Sequence, residues 1–232
     1  MKIPILMYHS ISDGNNPLSV SIKNFDKQMR FMSRNGYKTI SLQKLSSIIS
    51  GKFFIITFDD GYEDVFLNAL PILKKYDFTA TCFFVSKFIG KYNEWDENKE
   101  DFLRLNLMNS NQISLWIDNN MDVGSHTSDH KDLLNLDRNE KTLQITDPKK
   151  YFNEVFKVDV KTFSYPFGSF DDETFNIVKD NYIFAVTTNR SRYIFNKFDN
   201  CKLPRVPINK KDNIFKFYLK INTIYEDIKF KN

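Results

Sequence analysis

His126 and His130, two of only three histidines in the chain, sit four residues apart in the stretch GSHTSDH. On one helical turn, residues i and i+4 share a face, so two imidazoles at this spacing can reach a single divalent ion. A hydrolytic metal site wants three protein ligands and an open position for water, so a third ligand must come from elsewhere. Asp59 and Asp60, adjacent in IITFDDGYED, are the candidates. Two neighbouring carboxylates at the end of an apolar run cannot easily point at the same ion. One is therefore expected on the metal and the other beside the water, as general base. Each pair also has an ordinary reading, because Asp-Gly is a common turn in which either aspartate can cap the next helix, and histidines are common in loops. The two pairs together, each following an apolar run, favour a metal centre.

Such groups need rigid elements to hold them. Short apolar runs recur at 3–8, 53–58, 79–85, 121–124, 161–165, 183–187 and 203–208, each bounded by turn or polar residues, and read as buried strands. Segments of helical period lie between several of them. One is the stripe Ile22, Phe25, Met29 and Met32, closed by Asn35-Gly36. Alternating strand and helix with continuously apolar strands predicts a parallel sheet covered by helices, and about seven such units predict a distorted (β/α) barrel. The chemistry then belongs on the loops after the carboxyl ends of the strands, where Asp59-Asp60 falls.

With 232 residues, 41% hydrophobic and 16% aromatic, the chain has material for one sizeable core, and a single domain over residues 1–232 is expected. The net charge of +4 is carried by scattered basic residues, which argues against a nucleic-acid partner. Cys82 and Cys201 have neither metal-pair nor disulfide-framework spacing and read as buried thiols of a reducing compartment. The first apolar run is broken by Pro4 and is too short for a signal peptide or a membrane span, so a cytoplasmic setting is expected. The polar stretch 91–103, KYNEWDENKEDFL, reads as a loop or exposed helix in which Trp95 either docks the segment or stacks on a sugar as a lid. Near the end, Ile214, Tyr218, Ile221, Tyr225 and Ile228 are interleaved with Lys210, Lys211, Lys216 and Lys220. This pattern predicts an amphipathic helix packed on the barrel, with peripheral contact to an anionic membrane as the alternative.

The motifs TFDDGY, SHTSDH and FSYPFG occur in the order and at the approximate separations of the polysaccharide deacetylase family, also called the NodB-homology domain or carbohydrate esterase family four. The chain resembles that family from ILMYHSI to LPRVPI, nearly its whole length. The forms MYHSI, YPFG and PRV are similar to the branch containing poly-N-acetylglucosamine deacetylases and enzymes of surface-polysaccharide biosynthesis. The resemblance implies a distorted (β/α) barrel. It also implies Asp59 as general base, and Asp60, His126 and His130 as ligands of a divalent metal, most often zinc. In the third motif, with Tyr165 and Pro166 on the substrate side, it implies the backbone N–H of Phe167 as an oxyanion donor. The implied reaction is hydrolysis of the N-acetyl group of an amino sugar, in a polysaccharide, oligosaccharide or lipid-linked precursor, releasing acetate.

The sequence departs from the family pattern in three places. Where many members carry an arginine in the third motif to hold the catalytic aspartate, this chain has Ser164; Arg205 in LPRVPI is the candidate to orient Asp59 instead. No histidine follows His130 to serve as general acid. His9, at the carboxyl end of the first strand, is the candidate for protonating the amine or contacting the sugar. No tryptophan follows Trp116, so the family's late aspartate-tryptophan motif is absent and Leu203 is the candidate to line the acetyl pocket. These departures leave two alternatives open: a saccharide-binding relative that keeps the metal without turnover, and a hydrolase of another acyl group such as formyl. The expected site of action is the cytoplasm, with a lipid-linked substrate met at the inner membrane face.

Overall fold

The structure, a computed structural model, describes residues 2–47 and 50–229. Seven parallel strands form its centre: β1 (Ile5–Tyr8), β2 (Phe53–Phe58), β3 (Thr81–Phe84), β4 (Asp122–Ser125), β5 (Thr162–Ser164), β6 (Phe184–Arg190) and β7 (Leu203–Pro207). They are ordered β1-β7-β6-β5-β4-β3-β2, and β1 pairs with β2 in register Ile5↔Ile55 to Tyr8↔Phe58, which closes the barrel. Each of the seven apolar runs overlaps one of these strands, with β4 and β6 extending past the ends of theirs, and the architecture is the distorted (β/α) barrel expected from the sequence. The distortion is local. Between β6 and β7 the pairing jumps from Val186↔Leu203 to Arg190↔Arg205, a bulge of β6 opposite the segment that carries Arg205.

Among the described residues, seven helices cover the strands: α1 (Ile22–Arg34), α2 (Leu70–Lys75), α3 (Ser110–Asp118), α4 (Arg138–Phe156), α5 (Asp172–Asn181), α6 (Ile214–Asn222) and α7 (Tyr225–Lys229). The α1 helix begins at Ser21, whose side chain accepts from Asn24 N, and buries Phe25, Met29 and Met32 as its periodicity demands. Outward-facing Phe58 meets Phe25 of α1 and Trp116 of α3, with ring centroids 5.9 and 6.3 Å apart. Inward-facing residues do a different job. Ile3, Ile5, Ile55, Phe83, Phe184, Val186 and Leu203 form an apolar plug at the amino end of the barrel. Because side chains alternate along a strand, Ile55, Thr57 and Asp59 share one face, and so do Leu203 and Arg205. Polarity thus rises from the plug to the rim, where the chemistry-bearing residues sit.

The tail differs from the single helix predicted. It forms α6 and α7, separated at Thr223 and Ile224, and Lys220, expected on the solvent face, is buried. Its Nζ donates to Asp212 Oδ2 and to the Pro207 carbonyl, both at 2.6 Å, so the aliphatic stem and the charge are both used internally. Phe217 packs edge-on against Phe31 of α1, which fastens α6 to the barrel. Residues 230–232 lie outside the described residues, and no described helix is long and apolar enough to cross a membrane. Both cysteines are free and buried.

The last helix is clamped by charge. Asp227 accepts from Arg192 Nη2 and Lys2 Nζ, each at 2.7 Å. Burial pushes the Asp227 carboxyl up, but these hydrogen bonds outweigh it and hold it well below the usual carboxylate range. A depressed folded-state pKa contributes stability that is complete above the unfolded value of about 4 and is lost as pH falls toward the folded-state value. Asp227→Asn is therefore expected to cost about 0.5–1 kcal/mol at neutral pH. The melting-temperature gap between the two proteins should close as the buffer is made acid.

Candidate active site

At the carboxyl end of β2 the chain makes two successive left-handed turns, with φ of 72° at Asp60 and 76° at Gly61. Asp60 tolerates this conformation at some cost; at Gly61 a Cβ would also lie 2.7 Å from the Phe84 ring. The turn separates the adjacent carboxylates. Asp59 continues the inner face of β2, while Asp60 swings toward the loop after β4. That loop is not helical, contrary to the one-turn expectation for GSHTSDH. Left-handed residues at Thr127 (φ 66°) and His130 (φ 59°) fold it back so that both imidazoles face Asp60. His126 Nε2 and His130 Nε2 each lie 3.4 Å from Asp60 Oδ1, and all three residues are buried.

Asp59 faces a different partner. Arg205 Nη1 and Nη2 donate to its two carboxylate oxygens, both at 2.7 Å. The guanidinium also donates to Thr57 Oγ1 at 3.2 Å, Ser164 Oγ at 3.2 Å and the Thr187 carbonyl at 3.0 Å. All its N–H groups are thereby satisfied in a fully buried position, the arrangement under which a buried guanidinium is tolerable. Ser164 is small enough to admit Arg205 from β7 and supplies one of its acceptors.

Electrostatics follow from these contacts. Burial pushes the Asp59 carboxyl up, but the Arg205 guanidinium outweighs it and keeps Asp59 below the ordinary carboxylate range. Asp60 is also pushed up by burial, and the two imidazoles bring it well below that range. Both aspartates are ionised at neutral pH. His9 contributes to both effects from the wall of the cleft.

The cleft over these groups encloses about 190 Å³ and is lined by His9, Asp59, Asp60, His126, His130, Tyr165 and Phe167. Residues the sequence reading did not single out complete it: Leu18, Tyr62, Asp96, Lys99 and Thr188. Tyr62 closes the TFDDGY motif and Thr188 sits on β6, whereas Leu18, Asp96 and Lys99 come from loops in which no local signal marks them. Tyr165 turns its hydroxyl away, donating to the Cys201 carbonyl at 3.0 Å. Pro166 is buried beneath the turn it starts, and Phe167 follows it in a left-handed conformation, φ 59°, at the cleft wall. Leu203 does not line the cleft. It is fully buried in the apolar plug one inward position below Arg205, because alternation along β7 lets only Arg205 reach the rim. Trp95 belongs to a short turn, Glu94–Asp96, not to an exposed helix; it is half-buried, stacks on His130 and lines the cleft.

The cluster fits a metal ion. The three donor atoms lie within 4.8 Å of one another. Separations of 3.4 Å are longer than ordinary N–H···O hydrogen bonds, and are close to the edge of a tetrahedron with metal–ligand distances of about 2.0–2.1 Å. His126 Nδ1 bonds to the Ser164 carbonyl at 2.7 Å, which fixes its N–H there and turns the Nε2 lone pair toward Asp60. Two imidazoles and a carboxylate form a donor set suited to zinc.

Barrel and cleft together define a (β/α)-barrel protein whose strand ends carry a buried Asp–His–His cluster beside a second, arginine-clamped carboxylate. The chain belongs to the polysaccharide deacetylase family, whose model matches residues 49–185, more than half its length. It is 36% identical over 194 residues to YxkH of Bacillus subtilis, an alignment covering 81% of this chain and 64% of that protein. It is 29% identical over 239 aligned positions to the poly-β-1,6-N-acetyl-D-glucosamine N-deacetylase of Staphylococcus aureus, covering 93% of this chain and 76% of the relative. Among solved structures, the Streptococcus pyogenes deacetylase PplD in complex with acetate is similar, with a TM-score of 0.82 and 28% identity over 96% of this chain and 99% of that one. The chain thus spans about two thirds to three quarters of the length of these curated relatives.

Proposed function

We propose that the protein is a zinc-dependent deacetylase that removes the N-acetyl group from an amino sugar of a polysaccharide or its oligomeric or lipid-linked precursor. The observation that carries this reading is the division of labour between adjacent carboxylates, Asp60 facing His126 and His130 while Asp59 is clamped by Arg205. The staphylococcal relative, named for N-deacetylation of poly-β-1,6-N-acetyl-D-glucosamine, and the acetate complex of PplD support the acyl group and the sugar class.

Asp60, His126 and His130 would hold the ion, which when bound supplies a Lewis acid to polarise the amide carbonyl and to lower the pKa of water. Asp59, ionised and unable to rotate within the Arg205 fork, accepts the proton of the attacking water. The Phe167 N–H donates to the oxygen of the tetrahedral intermediate, a contribution of about 3 kcal/mol in comparable sites. His9, whose ring lines the cleft, is assigned the proton transfer to the departing amine, since no histidine follows His130. Carbonyl carbon–nitrogen cleavage then leaves acetate and a free amino sugar.

The oxyanion turn carries its own prediction. Gly168, at φ 74°, has no room for a side chain: a Cβ would fall 2.0 Å from Thr188 Oγ1. Gly168→Ala is expected to strain the turn by about 1–3 kcal/mol and shift the Phe167 N–H. Turnover should drop while zinc content is unchanged, as metal analysis beside a rate assay would show.

Mass spectrometry of N-acetylated glucosamine oligomers incubated with the zinc-loaded protein tests the function. Products lighter by one acetyl group per cleavage, with acetate appearing in step, are expected. Binding of such oligomers without release of acetate would instead identify a saccharide-binding protein, and faster release from N-formyl analogues would reassign the acyl group.

A further inference from the structure

Segment 91–103 has no part in the chemistry described, yet it builds the wall behind one of the three metal-facing donors. Those donors are held in unlike ways. His126 is fixed through Nδ1 by the Ser164 carbonyl, whereas His130 Nδ1 is buried and finds no hydrogen-bond partner among the described residues. A metal-binding imidazole is ordinarily oriented by a hydrogen bond from its second nitrogen, so another contact must set the His130 ring. Rings supply that contact. Trp95 stacks on His130 with centroids 4.8 Å apart and planes 26° from parallel. Phe167 and His126 meet the same imidazole edge-on, each at 4.8 Å. Phe167 is 54% exposed, while Trp95 is half-buried and braced by Phe88 at 5.4 Å.

The base from which Trp95 projects is built to hold a position. Asn93, only 3% exposed, accepts from Leu105 N at 2.8 Å and donates through Nδ2 to the Leu103 carbonyl at 3.1 Å. Its backbone N–H bonds to the Leu105 carbonyl at 3.1 Å, and Gly90 N to the Met108 carbonyl at 2.9 Å, so the two ends of the segment are stitched together. The Arg104 guanidinium lies 3.9 Å from the Tyr92 ring centroid and closes the same base. A segment needed only to cover surface would not require a buried asparagine making three such bonds two residues before its tryptophan.

We propose that Trp95 is a positioning residue of the metal centre, its indole doing for His130 what the Ser164 carbonyl does for His126: keeping Nε2 aimed at the ion site. The inference rests on the metal reading of the Asp60–His126–His130 cluster. It accounts for a buried histidine with an unpartnered nitrogen beside the metal-facing carboxylate, and it gives the polar segment a function.

Two readouts that do not depend on turnover test it. In competition titrations of chelator-stripped protein with zinc, Trp95→Ala is expected to bind about tenfold or more weakly, and Trp95→Phe, which keeps a ring against His130, to recover most of the affinity. Trp95 and Trp116 are the only tryptophans, so emission can be assigned by substitution. Zinc should change the emission of the unsubstituted protein and of Trp116→Phe, and leave that of Trp95→Phe unaltered. A cooperatively melting Trp95→Ala protein with undiminished zinc affinity would overturn the role, and so would an undiminished zinc response in Trp95→Phe. If Trp95→Ala does not fold, the emission comparison and the affinity of Trp95→Phe decide. Failure of the unsubstituted chain to take up zinc would overturn the metal reading as well, and so is distinguishable from failure of the Trp95 role alone.

Discussion

Asp59→Asn is expected to lower acetate release from an N-acetylated glucosamine oligomer by a factor of about 10²–10⁴, the usual contribution of a general base, with zinc content unchanged. The substitution keeps the shape of the side chain and removes its basicity. One oxygen still accepts from Arg205, but the new amide N–H₂ confronts the other guanidinium N–H. A stability loss of about 1–3 kcal/mol should accompany the loss of rate. The rate must therefore be measured well below the melting temperature of the variant, with folding checked by circular dichroism. Full activity in Asp59→Asn would remove Asp59 from the mechanism.

Arg205→Ala is expected to have the largest effect on stability. It strips a fully buried guanidinium from Asp59, Thr57, Ser164 and the Thr187 carbonyl, and leaves the buried Asp59 carboxylate without its bidentate partner. Breaking a buried ion pair from one side typically costs about 3–5 kcal/mol. Activity should fall as well, because the same burial that the guanidinium now offsets would raise the Asp59 pKa and protonate the base. Arg205→Lys keeps the charge without the planar fork and should fall between the two proteins. The double substitution Asp59→Leu with Arg205→Met is expected to regain much of the stability without regaining activity, because a hydrophobic pair of similar volume carries no desolvation cost. Denaturant melts of the four proteins check these values; an Arg205→Ala protein as stable and active as the original would contradict them.

The barrel was legible because its strands are buried on both faces, so apolar runs without alternation mark them, and seven such runs lead to seven barrel strands. Asp59, Asp60, His126 and His130 were legible as candidates because few residue types can bind a metal and these follow strand ends. Their geometry was not. The histidine pair meets through left-handed backbone at Thr127 and His130, which side-chain spacing does not report. Leu203 was misjudged because two residues along a strand move a side chain by a full layer, from rim to plug. Lys220 was misjudged because helical periodicity ranks a lysine as polar without seeing Asp212 waiting beneath it. Trp95, Asp96 and Lys99 lie in a segment whose composition gives only its polarity, and its placement over His130 depends on long-range bonds from Asn93 and Gly90.

At the centre of the account is the claim that adjacent carboxylates divide the work, Asp60 holding the ion and Asp59 taking the proton. Zinc content and turnover of the isosteric variants Asp59→Asn and Asp60→Asn, measured side by side after identical loading, test it most directly. Asp59→Asn should hold one zinc per chain and release acetate about 10²–10⁴-fold more slowly, whereas Asp60→Asn should lose zinc and activity together. Zinc lost from Asp59→Asn, or zinc and turnover both retained in Asp60→Asn, would contradict the assignment.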